Sequence, residues 1–322
     1  MELSIIIINW NTQELLSNCL SSIYRTIKEI AFEIILVDNG SEDGSVPFVK
    51  KHFSSVKIIA NTDNRGFGRA NNQALEIMEG RYALLLNTDT VLTPHAVAQL
   101  YSFMESTPDA AMACGQLLNS DGSKQNSIAA FPTLLTLIAN TSLLEHLFPK
   151  RFPSKRYHHH EPVEVDSGIG ACLLVRKAAI DDVGMFDERY FFFFEETDWA
   201  YQMHRKGWKT YHVPNAHIYH LQGQSIGPNI RSRIEFYRSR YIYFRKWKGS
   251  FYNTIVRIAI AIRLIINWLS SSIASGATLC LRRNILNRWI LYSGLILWHL
   301  KGCPESDLIV KNTRQRSGLR SQ

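Results

Sequence analysis

In the first ninety residues, short unbroken apolar runs alternate with stretches of helical period, and this alternation constrains the fold more than any other feature. Apolar runs stand at residues 3–8, 32–37, 56–60 and 82–86, and helical patterns fill 13–27 and 68–79, the second expected to stop at Gly80. A strand without polar alternation is covered on both faces, and strands separated by helices pair in parallel. The prediction is an α/β fold, a doubly wound, mostly parallel sheet with helices on both faces. At 322 residues, 46% hydrophobic and 20% charged, the chain can bury a core, and collagenous, coiled-coil and low-complexity classes are excluded. Five cysteines with no CxxC spacing indicate neither a disulfide framework nor a thiolate zinc site, and fit a reducing compartment.

Small molecules bind such sheets beyond the carboxyl ends of the strands. Those positions are polar here: Asn9-Trp10-Asn11 after the first run, Asp38-Asn39-Gly40-Ser41 after the second and Asn87-Thr88-Asp89-Thr90 after the last. Each loop alone reads equally as a turn or a helix cap. Three of them on one sheet edge point to a ligand site.

From about residue 110 to 162 the pattern weakens, and 119–126 reads as a surface hairpin. His158, His159 and His160 are adjacent, which suits a solvated loop better than a metal site. A strand returns at 171–175. A helix is expected from Thr197 to Gly207 with Trp199, Ala200 and Met203 on its inner face.

The run from Phe191 to Phe194 is followed by Glu195, Glu196 and Asp198. Acids at a helix start complement the macrodipole, and acids beside apolar rings gain a raised pKa suited to general-base work; the sequence allows both readings. With Asp89 at a strand end, a division of labour suggests itself. Asp89 would hold a divalent cation bridging a diphosphate, Glu196 would take a proton from a hydroxyl, and a histidine of the alternating stretch 216–220 would join the cation.

The strings IIIINWN, VDNGSEDG, NRGFGRANNQAL, LLLNTDT, VGMFDERYFFFFEETDW and HLQGQS, in this order between residues 3 and 246, closely resemble family 2 glycosyltransferases of the bacterial rhamnosyltransferase-like type. The resemblance implies a GT-A fold and an inverting enzyme, a hexosyltransferase that uses a nucleotide-diphosphate sugar and Mg2+ or Mn2+. It implies that Asp38 accepts a hydrogen bond from the pyrimidine, that Asn9 and Asn11 line the nucleotide pocket, and that Asn64, Gly66, Phe67 and Asn71 lie beside the nucleotide sugar. Asn87 and Asp89 hold the first and last places of a DXD-like motif, a departure from strict D-x-D that implies a sparse metal shell. Glu196 matches the catalytic base, where relatives more often carry Asp, with Glu195 and Asp198 as alternatives. His220, ahead of His217, matches the metal-joining histidine, and Gly168, Gly170 and Ala171 match the acceptor floor. Rhamnose on a dTDP carrier is the donor suggested by the subfamily, UDP carriers being compatible with the same aspartate. The rival reading is a catalytically silent sugar-nucleotide-binding scaffold protein at the membrane. A nicotinamide enzyme is disfavoured because no GxGxxG follows the first strand.

Charge divides the chain. Residues 231–322 carry 17 Lys and Arg against 3 Asp and Glu, and the remainder is net acidic. Interleaved arginines and aromatics suggest nucleic acid. The Ile, Leu and Trp content of 251–300 instead favours helices lying in an anionic membrane interface, with a true span over 264–281 less favoured. The expected organisation is a catalytic domain at 1–230, with a nucleotide half to about 110 and an acceptor half from 111. A membrane-association region at 231–303 and a disordered basic tail at 304–322 would follow. Glu2 stands where a signal peptide needs a basic residue, so the enzyme is expected to be cytoplasmic and peripheral on the inner face of the cell membrane, with a lipid-linked glycan of polysaccharide or O-antigen assembly as acceptor.

Overall fold

A computed structural model describes residues 1–139, 141–149, 152, 159–221, 230–278 and 281–304. His158, Cys280, the motif residues after Leu221 and the tail from 305 lie outside them. The chain divides into two compact units, Met1–Phe191 with Glu195–Ser225, and Phe192–Phe194 with Ile226–Gln322.

The first unit runs β1 (Leu3–Asn9), α1 (Gln13–Thr26), β2 (Phe32–Asp38), α2 (Ser45–His52), β3 (Lys57–Ala60), α3 (Phe67–Leu75), β4 (Tyr82–Asn87), β5 (Thr90–Leu92), α4 (Ala96–Ser106) and β6 (Ala110–Leu118). It continues with β7 (Ile128–Ala129), α5 (Leu134–Ile138), α6 (Thr141–Leu147), β8 (Val163–Val165), β9 (Ser167–Gly168), β10 (Cys172–Arg176), α7 (Lys177–Val183), α8 (Glu195–Arg205) and β11 (Lys209–His220). The main sheet has the order β3-β2-β1-β4-β10-β6-β11-β5, with β8 also on β11 and β7 paired with β9 apart. The first four strands are mutually parallel, as is β6 with β11, while β10 runs antiparallel to β4 and β6. Both faces are covered, and β1, β2 and β4 are buried almost end to end because helices pack on either side.

Two elements differ from the sequence reading for visible reasons. The pattern that weakens at Ala110 is β6, buried at every position although it begins with small residues. Smallness is required there: β11 slips register between Val213 and His217, and a Cβ on Gly115 would overlap the Ala216 carbonyl. Helix α3 ends at Leu75, short of Gly80, because Glu33 and Ser4 take the Glu79 and Gly80 amides and turn the chain into β4.

Of the histidine run, His160 is exposed, whereas His159 is half-buried, its ring 6.4 Å edge-on from His212. His212, on β11, is 4% exposed and neither ring nitrogen has a hydrogen-bond partner among the described residues. Burial, with His159 and Lys124 nearby, lowers its pKa from 6.5 to about 4.

In the second unit, α9 (Ile230–Ala277) is two helices joined at Gly249, which sits at φ 81°, and α10 (Arg283–Leu300) packs back along the second. The Trp268 and Trp289 indoles donate to Ser293 and Ser272, each at 2.9 Å. Phe193 and Phe194, both at φ 71°, pack on Phe236, and the Ser239 hydroxyl donates to the Phe192 carbonyl at 2.9 Å.

A depressed histidine pKa makes the fold stable above the unfolded value and weaker as pH falls through the folded one. Denaturant titrations should show unfolding free energy falling by up to about 3 kcal/mol from this group between pH 6.5 and 4, and His212→Leu should flatten that dependence.

Candidate functional site

The carboxyl ends of β1, β2 and β4 lie side by side because the register pairs Asn9 with Asp38 and Ile8 with Asn87. Asp38 is buried; its Oδ1 accepts from Asn9 Nδ2 at 2.7 Å and its Oδ2 from the Ser41 amide at 2.9 Å. Asn9 also donates to Ser41 Oγ and accepts from Thr12, so its amide fixes the aspartate and the loop around it. A carboxylate has about four acceptor positions, so the two bonds named leave Asp38 capacity for further donors. Asn11, exposed at φ 54°, receives the Glu42 amide on its side chain and donates its own amide to Ser41.

A second cluster holds the loop before α3. Asn39 donates to Asn64 and to the Gly66 carbonyl, and Asn64 accepts from the Gly66 amide at 3.0 Å. Gly66, at φ 85°, has no room for a side chain, since a Cβ would lie 2.5 Å from the Phe191 carbonyl, which accepts from the Phe67 amide. Asn71 is buried with Nδ2 on the Phe67 carbonyl, and its Oδ1 has no partner among the described residues. Asn72 ties α3 to the backbone of Phe186 in both directions.

The DXD-like loop and the carboxylate cluster meet at one turn. The Asn87 amide donates to the Ala171 carbonyl at 3.0 Å, and the Gly170 backbone lies against the Glu196 carboxylate and favours its charged form. A Cβ on Gly170 would stand 3.7 Å from Glu196 Cδ. Helix α8 begins at Glu195, two residues earlier than the periodicity suggests, which puts Glu196 in its first turn. Burial raises the Glu196 pKa above 4.5 against three stabilising backbone hydrogen bonds. The other acids are placed differently. Asp198 is fully buried, accepting from the Tyr190 hydroxyl at 3.1 Å and Gln202 at 2.8 Å, and Glu195 is buried. The Gly168 position is filled by Leu173 and Cys114, and the Ala171 side chain belongs to the core, so of these three residues it is Gly170 that faces the carboxylate.

Strand pairing sets His220 opposite Thr90, and the Leu221 amide donates to the Asp89 carbonyl. His220 Nε2 lies 3.4 Å from Asp89 Oδ1, both side chains being largely buried. Gln125 donates to the His220 carbonyl at 2.5 Å, so its Oε1 is left to accept the Nδ1 proton at 2.9 Å. That arrangement leaves an Nε2 lone pair facing a carboxylate, a pair of donors suited to a cation. No group of three or more His, Cys, Asp and Glu side chains that could hold a metal occurs among the described residues, so a cation fits here only by sharing its shell with phosphate and water. His217, the weaker candidate, is exposed. Gln125 had no sequence signal, lying in a hairpin that reads as surface yet is buried.

A family model described as Glycosyl transferase family 2 matches residues 4–184. N-acetylglucosaminyl-diphospho-decaprenol L-rhamnosyltransferase of Mycobacterium tuberculosis is 27% identical over 226 residues, 65% of this chain and 73% of its own. Low-salt glycan biosynthesis hexosyltransferase Agl10 of Haloferax volcanii is 27% identical over 210 residues, 64% and 62% respectively. Among solved structures, S. aureus TarS 1-349 aligns with TM-score 0.51 and 15% identity over 76% of this chain and 64% of its own. GalNAc-T7 with UDP, GalNAc and Mn2+ aligns with TM-score 0.55 and 16% identity over 78% and 51%. The match thus spans less than two thirds of either solved chain. These likenesses show the GT-A-like α/β fold expected from the sequence.

Removing the Gln125 acceptor should let the His220 ring turn and change tautomer. Mn2+ titration followed by electron paramagnetic resonance should find Gln125→Leu binding about 10–100-fold more weakly than the parent.

Proposed function

The chain belongs to glycosyl transferase family 2, and from that premise we propose that it is an inverting hexosyltransferase carrying a sugar, rhamnose being the leading candidate, from a dTDP- or UDP-linked donor to a hydroxyl of a lipid-linked glycan. The observation that carries this reading is the Gly170–Ala171 turn, which holds the DXD-like loop on one side and Glu196 on the other. Glu196 takes the proton of the acceptor hydroxyl as its oxygen forms the new bond to C1. The bond from C1 to the diphosphate oxygen breaks, and no covalent enzyme intermediate is needed. Asp38 orients the base of the nucleotide, and Asn71 Oδ1 offers its free acceptor to a donor hydroxyl. Asp89 and His220 would hold Mg2+ or Mn2+, whose chemistry when bound is to offset negative charge on the departing nucleoside diphosphate.

The acceptor class follows from the second unit and from the relatives. Beyond Gly249, α9 is about 42 Å long at 1.5 Å per residue, and by length and composition it could cross a bilayer. Ile258, Ile262, Ile265, Ile266, Leu269 and Ile273 are all exposed, at the spacing of a helix face. Exposed Arg263, Arg282, Arg283 and Arg288 accompany them, the pairing of apolar face and positive charge that suits an anionic lipid surface. We place the protein on the cytoplasmic face of the membrane in the interfacial mode, where a lipid-borne acceptor is presented to it.

Glu196→Gln should leave donor affinity nearly unchanged, by calorimetry, and lower kcat by ~10²–10⁴-fold. Because the base works ionised and its pKa is raised, the parent's kcat should decline with falling pH along a limb lying above 4.5; a limb at or below that value argues for another base. Ile266→Glu with Ile273→Glu should move the protein from the anionic-vesicle fraction to the supernatant in flotation assays while leaving donor affinity intact.

A further inference from the structure

Among the described residues of the second unit, one cation has no acidic partner. Arg240 lies 4.5 Å from the centre of the Phe236 ring, 5.7 Å from Phe194 and 5.9 Å from Tyr237. Its Nε is buried and has no hydrogen-bond partner among the described residues. Glu235 is the one acid among the described residues of this unit, and it is committed to Arg238 at 3.0 Å and to the neighbouring Ser239. Positive charge accumulates instead: Arg263 acts unfavourably on Arg240, and Arg233, Arg240 and Arg263 all act on Tyr237. The guanidinium pKa falls to about 10, chiefly through burial.

Aromatic faces recover part of the hydration lost by such a group, but they leave its N–H fork unmatched. The Arg240 side chain is half-buried, and its buried Nε stays without an acceptor unless an anion completes it. The fork matches two oxygens of a phosphate, and three arginines about one tyrosine suit more than one negative charge. Phe194, which forms one wall, stands two residues before Glu196 in the chain. We propose that Arg240 is an anion-binding residue that receives the diphosphate of the lipid-linked acceptor, an inference that rests on the transferase reading above.

The test uses the full-length protein in EDTA, floated with phosphatidylcholine vesicles carrying either polyprenyl diphosphate or phosphatidylglycerol at matched charge. The parent should prefer the diphosphate vesicles by about tenfold, the worth of a charge-assisted bond. Arg240→Met should lose that preference, bind the phosphatidylglycerol vesicles and UDP as the parent does, and melt no lower, since removing a half-buried cation whose Nε has no acceptor relieves a desolvation cost. A parent that does not distinguish the vesicles overturns the proposal whatever the variant does. Retained preference in Arg240→Met overturns it as well, and a marked drop in melting temperature would make the arginine a packing element instead. Weakened UDP binding would assign the anion to the donor, against the proposal. None of these readouts requires sugar transfer, so a parent enzyme that transfers no sugar from any dTDP- or UDP-linked donor would defeat the transferase reading and leave the vesicle preference standing.

Discussion

The candidate site depends on two contacts made by adjacent residues. Ala171 accepts the Asn87 amide, and the Gly170 backbone lies against the Glu196 carboxylate and favours its charged form. The first contact joins the carboxyl end of β4 to the segment entering β10; the second holds the first turn of α8 to that same segment. Without this turn, the DXD-like loop and the carboxylate would belong to separate parts of the sheet edge. A Cβ at 170 would stand in van der Waals contact with the Glu196 carboxyl carbon, so glycine keeps the space beside that carboxyl open.

Much of this was legible in the sequence. Leu3–Asn9, Phe32–Asp38 and Tyr82–Asn87 announced themselves as strands because doubly covered strands are apolar throughout, and the polar residues closing them could be read as a sheet edge. The motifs placed Asp38, Asp89, Glu196 and His220 in order. Support of those side chains was not legible, because it comes from residues with no pattern of their own. Gln125 sits in a hairpin that looks like surface, and Ser41 and Thr12 look like ordinary turn and cap residues. The strand from Ala110 was obscured for a different reason: neighbouring β11 is irregular, and a strand beside a bulge needs small residues that weaken its β signature.

Aromatic density near residue 194 serves two ends. Phe193 and Phe194 adopt a left-handed backbone, a conformation that costs about 1–3 kcal/mol for each such residue. Packing of both rings on Phe236, together with the Ser239 bond to Phe192, offsets that cost. Phe194 and Phe236 also flank the Arg240 guanidinium. Strain in the backbone and an unmatched charge therefore occur in one small cluster of the second unit, a pattern found where local stability is yielded to function.

The loop at Gly66 carries a consequence for biogenesis. Its partner is Phe191, and Asn72 in the following helix is fastened to Phe186, 114 positions later. A nascent chain emerging from the ribosome can pair its first four strands early, but this wall of the candidate site is closed only after some 190 residues are available. Closure across so wide a separation is slow relative to local pairing. Refolding protein should therefore regain its secondary structure before it regains affinity for nucleotide.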